Sequence, residues 1–340
     1  MEQSSRYSQA GVDIHAADQV KTRIGELVEQ TRNDHVLHKP GAFGGLFSLF
    51  QLPELKPVLV SSVDGVGTKV KIARELGQHV GIGTDLVNHC INDILTCGAR
   101  PLFFLDYYAC EKLDASILLQ VVQGMSEACQ AAHMALIGGE TAQMSDVYSP
   151  GEYDLAGTIV GVVGEEEIID GQSIEPGDKM VGLPSSGLHT NGYTLARKIF
   201  FAENHFSPNA PLEGLDRPLG ETLLVPHRSY LTDYQRIQKQ VPIKGMAHIT
   251  GGGFEGNIPR ILPEGCQAVV DIQRWEPPAI FQAIQKYGNV SKAEMYQVFN
   301  MGIGMVLIVD QEDAETLCHS EPEAILIGDI KPGHGVQFLG

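Results

Sequence analysis

A chain of 340 residues with 43% hydrophobic and 19% charged content is long enough to bury two cores, so two domains are expected. Its 24 basic and 42 acidic residues leave a formal charge of −18, a field that repels nucleic-acid phosphates and anionic lipid headgroups and argues against either as a partner. Nucleotides stay open as ligands, because backbone N–H groups, helix N-termini and a bound cation supply positive potential locally.

The first ten residues are polar and no run approaches the ~18 apolar residues of a membrane span, so a cytoplasmic protein is expected. A helix is predicted from about Ala16 to Arg32. The segment after it, HKPGAFGGLFSLF from His38 to Phe50, mixes flexible glycines with aromatics and suits a cover over a ligand. Val58 to Val63 is an apolar, β-branched run ending at Asp64-Gly65, which reads as a buried strand stopping at a turn. The next predicted helix runs from Thr84 to Cys97, with Gly98 as its stop. Leu86, Val87, Cys90, Ile91, Ile94 and Leu95 fall on one stripe of it, Asp85, Asn88 and Asn92 on the opposite side, and Asp93 at the margin.

Strands are predicted at Leu102–Tyr107, Met134–Ile137 and Leu155–Val163, with a helix from about Ala115 to Ala132. The turn-rich stretch from Asp170 to Asp178 marks a boundary between domains 1–168 and 169–340. A second α/β pattern follows: strand Lys179–Leu183, a Gly-rich loop, helix Asn191–Phe201, and strands near Ala268–Ile272 and Ile303–Val309. The six cysteines show no C-x-x-C pairing and read as reduced core thiols. The fold class is α/β, of the α+β kind.

Three acids sit beside glycine turns or a helix margin: Asp64 in SVDGVGTK, Asp93 in CIND and Glu140 in LIGGETA. Each is either a turn or helix cap or a ligand for magnesium, which takes only one or two carboxylates plus waters and substrate phosphates. The segment Asp64-Gly65-Val66-Gly67-Thr68-Lys69 is either a turn with a solvated lysine or a loop whose backbone approaches phosphates while Lys69 neutralises charge. It is not a Walker A loop, whose order is Lys-[Ser/Thr]. In the second half, SSGLHTNG (Ser185 to Gly192) places hydroxyls, Gly187 and free N–H groups ahead of a helix, an arrangement suited to a substrate phosphate. Within it His189 is either an acid/base group or a structural hydrogen-bonder. Three successive glycines, Gly251, Gly252 and Gly253, lose conformational entropy that a close backbone–ligand approach would justify, with His248 and Asn257 able to add polar contacts.

These residues, in this order, resemble the phosphoribosylformylglycinamidine cyclo-ligases of purine biosynthesis. The likeness spans nearly the whole chain through YSQAGVDIHAAD, SSVDGVGTK, INDILTCGARPLFFLDYYA, LIGGETAQM, YDLAGTIVGVV, SSGLHTNGYTLARK, HITGGGFEGNIPR and FNMGIGM. It implies two α/β domains, the N-terminal one binding ATP and pairing its mixed sheet with a second subunit in a homodimer, the C-terminal one binding a small ribonucleotide. It implies ATP-driven activation of the formyl oxygen of formylglycinamidine ribonucleotide, attack by an amidine nitrogen, and closure of the imidazole ring. By this likeness Asp64, Asp93 and Glu140 hold Mg-ATP, with Lys69 and the Phe43-Gly44-Gly45-Leu46 segment near the nucleotide. Ser186, His189, Asn191 and the Gly251–Gly253 turn line the ribonucleotide side.

The chain departs from the family pattern at Gln143, where a glutamate is usual, at Asn88-His89, where smaller apolar residues are common, and at Met301, which replaces a usual cysteine. The last two read as packing or subunit-contact variation. Selenophosphate synthetase, which shares the superfamily, carries a reactive residue near its start, whereas the first cysteine here is Cys90. Thiamine-monophosphate kinase lacks the paired SSGLHTNGY and HITGGGF segments. A silent nucleotide-binding scaffold would need neither the full set of acids nor both Gly-rich loops.

Overall fold

A computed structural model describes residues 14–37 and 44–340. It divides into two compact units: the chain through Cys90 with Arg100–Gly164, and Ile91–Ala99 with Glu165–Gly340. The division falls a few residues before the turn-rich stretch that marks the boundary in the sequence, and residues 91–99 count with the second unit. Phe43 lies outside the described residues.

The first unit contains α1 (Ile14–Glu29), β1 (Pro57–Gly65), α2 (Lys69–Leu76), the larger part of α3 (Val80–Leu95), β2 (Arg100–Cys110), α4 (Ala115–Ala131), β3 (Ala135–Gln143) and β4 (Tyr153–Gly164). Its sheet has the order β1-β4-β2-β3, with β2 and β3 parallel and the other pairs antiparallel. Asp114 caps α4, its side chain accepting from the Ser116 and Ile117 N–H groups. Helix α3 starts four residues earlier than predicted, at Val80. Its glycines look like breakers in sequence but are needed for contact: a Cβ on Gly83 would sit 1.9 Å from the Val121 carbonyl oxygen of α4, and one on Gly124 would sit 1.8 Å from that of Val80. Two backbones in touch leave no room for side chains.

The apolar stripe of α3 is buried as predicted, with Leu86, Val87, Cys90, Ile91 and Leu95 all at 0% exposure. Asp85 and Asn92, expected to face away, are buried as well. Both have polar partners inside their own units, so charge and amide alone did not reveal their side of the helix.

Side chains of directly paired strand residues share a face. Asp64, Gly157, Asp106 and Gly139 form one row across β1, β4, β2 and β3, and Gly65, Ala156, Tyr107 and Glu140 form the next, on the opposite face. The first face carries α3, since a Cβ on Gly157 would meet Leu86 at 3.1 Å. On the second face Leu59, Val63 and Tyr107 remain 52%, 66% and 40% exposed.

The second unit is built on strands β5 (Lys179–Pro184), β6 (Gly245–His248), β7 (Cys266–Asp271), β8 (Ile303–Val309), β9 (Ile325–Pro332) and β10 (Gly335–Leu339). Their order is β10-β7-β9-β5-β8-β6, parallel only between β10 and β7. Every residue of β8 is buried, as its unbroken apolar run leads one to expect. The helix predicted at Asn191–Phe201 is shifted by two residues: Tyr193–Arg197 is α-helical and Lys198–Glu203 continues as a π-helix. Gly192 stands at φ 77°, outside the helical region, so the helix cannot begin before Tyr193.

Candidate functional site

In the first unit, Asp64 ends β1 with its carboxyl side chain 42% exposed. Oδ1 accepts the Gly65 N–H at 2.6 Å, and Oδ2 lies 2.9 Å from His89 Nε2 on α3. His89, which reads as packing variation in sequence, is therefore a buried polar neighbour of a candidate ligand. Asp106 lies on the same face, two strand spacings or roughly 10 Å away by ordinary sheet geometry. A Cβ on Gly139 would collide with Asp106 Oδ1 at 2.1 Å, so that glycine makes room for the carboxyl. Burial pushes the Asp106 acid up to about 7, with nearby Glu140 adding to the rise. An acid inside the apolar strand FFLDYYA was the signal for Asp106 that sequence reading passed over.

Glu140 is exposed and belongs to the opposite face of this sheet. The register thus separates Asp64 from Glu140, two of the acids the resemblance places together.

Lys69 is not a solvated cation. Its Nζ lies 2.9 and 2.8 Å from the two oxygens of Asp85, and both side chains are 0% exposed. Burial lowers the proton affinity of Lys69, while Asp85 opposes the shift. This ammonium sits in a buried pair rather than in an open loop. Gly65 to Thr68 join β1 straight to α2, with Gly67 at φ 68° and open space beside it. In the cover segment, Gly44, Gly45 and Leu46 are all exposed, and a Cβ on Gly45 would meet Ile137 at 2.7 Å. Gln143 is held structurally, its Oε1 accepting the Leu113 N–H at 2.9 Å. A cavity of ≈ 290 Å³ between α1 and α4, lined by Arg23, Gln30, Ser126 and Gln130 among others, includes none of the candidate residues.

The second unit gathers most of its predicted residues. Asp93 Oδ1 lies 2.9 Å from His248 Nδ1, and His248 Nε2 lies 3.2 Å from His227 Nε2. His227 stacks on His189, ring centroids 3.9 Å apart. His189 holds φ 61°, an uncommon value for a residue with a side chain. Its ring lies over Gly304, where a Cβ would come within 2.5 Å of His189 Cε1. Ser186 donates its N–H to His189 Nε2 at 3.2 Å and its hydroxyl to the Pro226 carbonyl at 2.6 Å. The Gly187 carbonyl is held by Asn300 Nδ2 at 2.9 Å.

Asn191 Oδ1 borders Gly251, 3.2 Å from where a Cβ would stand, and Asn191 Nδ2 is a buried donor with no hydrogen-bond partner among the described residues. Such a donor is destabilising by about 1–3 kcal/mol unless something accepts from it. In the triple-glycine turn the packing need falls on Gly253, at φ 58° and with a Cβ site only 1.9 Å from the Tyr296 carbonyl oxygen. Gly251 and Gly252 have no such backbone neighbour within 3 Å. Asn257 braces the turn, donating to the Gly253 carbonyl at 2.7 Å. Asn92 and His227, which no sequence motif singled out, sit among these residues.

Residues 50–163 match the N-terminal domain of AIR synthase related proteins, and residues 175–339 match their C-terminal domain. A phosphoribosylformylglycinamidine cyclo-ligase of Myxococcus xanthus is 48% identical over 333 residues, 97% of this chain and 96% of that one. This chain belongs to the phosphoribosylformylglycinamidine cyclo-ligase family. The family's fold extends to remote solved structures. The thiamine-monophosphate kinase of Stenotrophomonas maltophilia matches with a TM-score of 0.68 at 16% identity over 97% of both chains. The hydrogenase maturation protein HypE in complex with ATP matches with a TM-score of 0.66 at 18% identity, over 95% of this chain and 89% of that one. Both likenesses concern the fold alone.

Proposed function

We propose that this chain is an ATP-dependent ring-forming ligase of de novo purine biosynthesis, converting formylglycinamidine ribonucleotide to aminoimidazole ribonucleotide with release of ADP and phosphate. The observation that carries the reading is near-complete alignment, at 48% identity, with a named cyclo-ligase. The site supports it through Asn191 Nδ2, whose unanswered N–H is suited to an oxygen of the ribonucleotide, beside the glycines whose backbone a phosphate can approach closely.

In this reaction the formyl oxygen takes the γ-phosphoryl group of ATP and ADP departs. An amidine nitrogen then bonds to the activated carbon, the C–O bond breaks, and the oxygen leaves within phosphate. No covalent protein nucleophile is required. Holding the nitrogen against that carbon makes closure effectively intramolecular. Ser186, Gly187, His189, Asn191, His248 and the Gly251–Gly253 turn are assigned to the ribonucleotide and the C-terminal domain, 169–340. The N-terminal domain, 1–168, is assigned to ATP and to dimerisation.

Carboxylate oxygens are hard donors that suit magnesium, and the Asp64 side chain is 42% exposed. Asp64 and Asp93 are the residues assigned to Mg-ATP, whose ion would offset the charge that builds on the transferred phosphoryl group, whereas Glu140, on the opposite sheet face from Asp64, is not assigned to the same ion. The apolar, partly bare sheet face bearing Leu59, Val63 and Tyr107 is assigned to a second copy of the chain, and Glu140 stands on that face. A cytoplasmic location fits an enzyme whose substrates are soluble ribonucleotides.

The test is incubation of the pure protein with Mg-ATP and formylglycinamidine ribonucleotide, following ADP and the aminoimidazole product. ADP release only with thiamine monophosphate would select a kinase instead, and binding without turnover would select a scaffold. Light scattering that gives a monomer mass at micromolar concentration would remove the dimer.

A further inference from the structure

The second unit contains a buried polar chain whose hydrogen-bond direction is set from one end. Asn92 Oδ1 accepts the Tyr230 N–H at 2.9 Å and Asn92 Nδ2 donates to the Arg228 carbonyl at 2.8 Å, so backbone groups on both sides settle which end of the amide is which. The same Nδ2 faces His227 Nε2 at 3.1 Å, which makes that nitrogen an acceptor. The His227 proton then belongs on Nδ1, towards Thr190 Oγ1 at 3.4 Å. His248 Nε2, 3.2 Å from His227 Nε2, must be the donor in that contact. The far nitrogen of His248, Nδ1, donates to the Asp93 carboxylate, which can only accept, so this order holds with a proton on both His248 nitrogens.

The surroundings keep this order rigid. Asn92 is 0% exposed and His227 1%. His227 and His189 stack face to face at 21°. The ring nitrogens of His189, His227 and His248 come within 4.8 Å of one another, yet two stacked rings direct their in-plane lone pairs side by side, which suits an orienting stack better than a shared cation.

We propose that His227 is a positioning residue: through an unprotonated Nε2, itself oriented by Asn92, it fixes the His248 ring and hence the Asp93 carboxylate for the reaction. The inference rests on the function proposed above, in which His248 and Asp93 serve the ribonucleotide and Mg-ATP. Partners that orient such groups from outside are typically worth about 10–100-fold in activity.

Two substitutions separate an acceptor from a space-filler. His227→Phe keeps a ring on His189 but offers His248 no acceptor, whereas His227→Gln restores one through its amide oxygen. The expected result is a fall in kcat of about 10–100-fold for the phenylalanine variant, with either KM moving by less than about threefold, and recovery of most of that loss in the glutamine variant. Wild-type rates in His227→Phe, or equal losses in both variants, would overturn the proposal. A measurement on the wild-type protein stands independently of turnover: ¹⁵N NMR of histidine-labelled enzyme, with the His227 signals identified by their loss in His227→Gln, should show the Nδ1–H tautomer. An Nε2–H or doubly protonated His227 overturns the proposal. Absent turnover with the correct tautomer would instead count against the assigned reaction.

Discussion

Removing Asp85 should damage the first unit far more than removing the whole Lys69–Asp85 pair. The two charges lie 2.8 Å apart at closest approach, with both side chains at 0% exposure. Asp85→Ala takes from the Lys69 ammonium the carboxylate that lies 2.8 Å away, in a setting where both side chains are fully buried. Breaking a buried pair from one side is destabilising by about 3–5 kcal/mol, whereas replacing both members with apolar residues of similar volume is often neutral or better. With a urea slope of about 2 kcal/mol/M, the single substitution should lower the unfolding midpoint of that unit by about 2 M, and Lys69→Met with Asp85→Leu should restore most of it. Far-UV circular dichroism follows the loss of structure. The lone tryptophan, Trp275, belongs to the second unit, so its fluorescence shows whether the damage stays in the first. A midpoint for Asp85→Ala within about 0.3 M of wild type would refute the buried-pair reasoning. The same double variant also tests the role of Lys69: retained ATP turnover is expected from its burial, and a folded but inactive protein would return Lys69 to the phosphates.

Asn191→Leu removes a buried donor without a partner and should leave thermal stability unchanged or raised, while kcat/KM for the ribonucleotide falls by at least about tenfold; a loss of stability with intact kcat/KM would contradict both halves. The Asp106 acid is raised from 3.8 to about 7 by burial, so the folded state holds this proton where the unfolded state has lost it, and its stabilisation is full below about pH 4 and declines as pH rises to about 7. At about 1.4 kcal/mol per unit this amounts to roughly 4 kcal/mol, so Asp106→Asn should gain on wild type in metal-free melts at pH 8 and not at pH 4; parallel pH curves would refute the assignment. Gly124→Ala drives a methyl group into the Val80 carbonyl and should be destabilising by about 1–3 kcal/mol or more in urea titrations, and a neutral result would mean that the α3–α4 crossing is looser than described. Asp93→Asn should abolish turnover with little change in melting temperature, since shape is kept and charge is lost; near-normal activity would take Asp93 out of the site.

Strand and helix identity were legible wherever apolar periodicity was unbroken: β8 falls at Ile303–Val309, as read, and the α3 stripe is buried residue for residue. Boundaries failed where tertiary contact overrode local preference. Gly83 reads as a breaker until its contact with α4 is known, and Gly192 delays the start of a helix to Tyr193 because it takes a left-handed turn packed on Phe299. Polar residues inside the units were the least legible. Asp85 and Asn92 read by periodicity as facing away, His227 carries no signal, and the burial of each depends on a partner distant in the chain, while Asp106 stood out only as an acid within an apolar strand. The glycine-rich segments were found readily, but sequence could not say that Gly253 answers to packing while Gly251 borders Asn191.

The bare apolar face of the first sheet sets a condition on every measurement above. Leu59 and Val63 stand on β1, an outer strand of that sheet, so an uncovered copy in solution offers a greasy surface to whatever it meets. With the face closed by a second copy, apparent stability would climb with protein concentration, and the melting point of a dilute sample would understate that of a concentrated one. Variants are therefore comparable only at matched concentration, and a substitution such as Val63→Lys would turn an assembly problem into what looks like a folding defect.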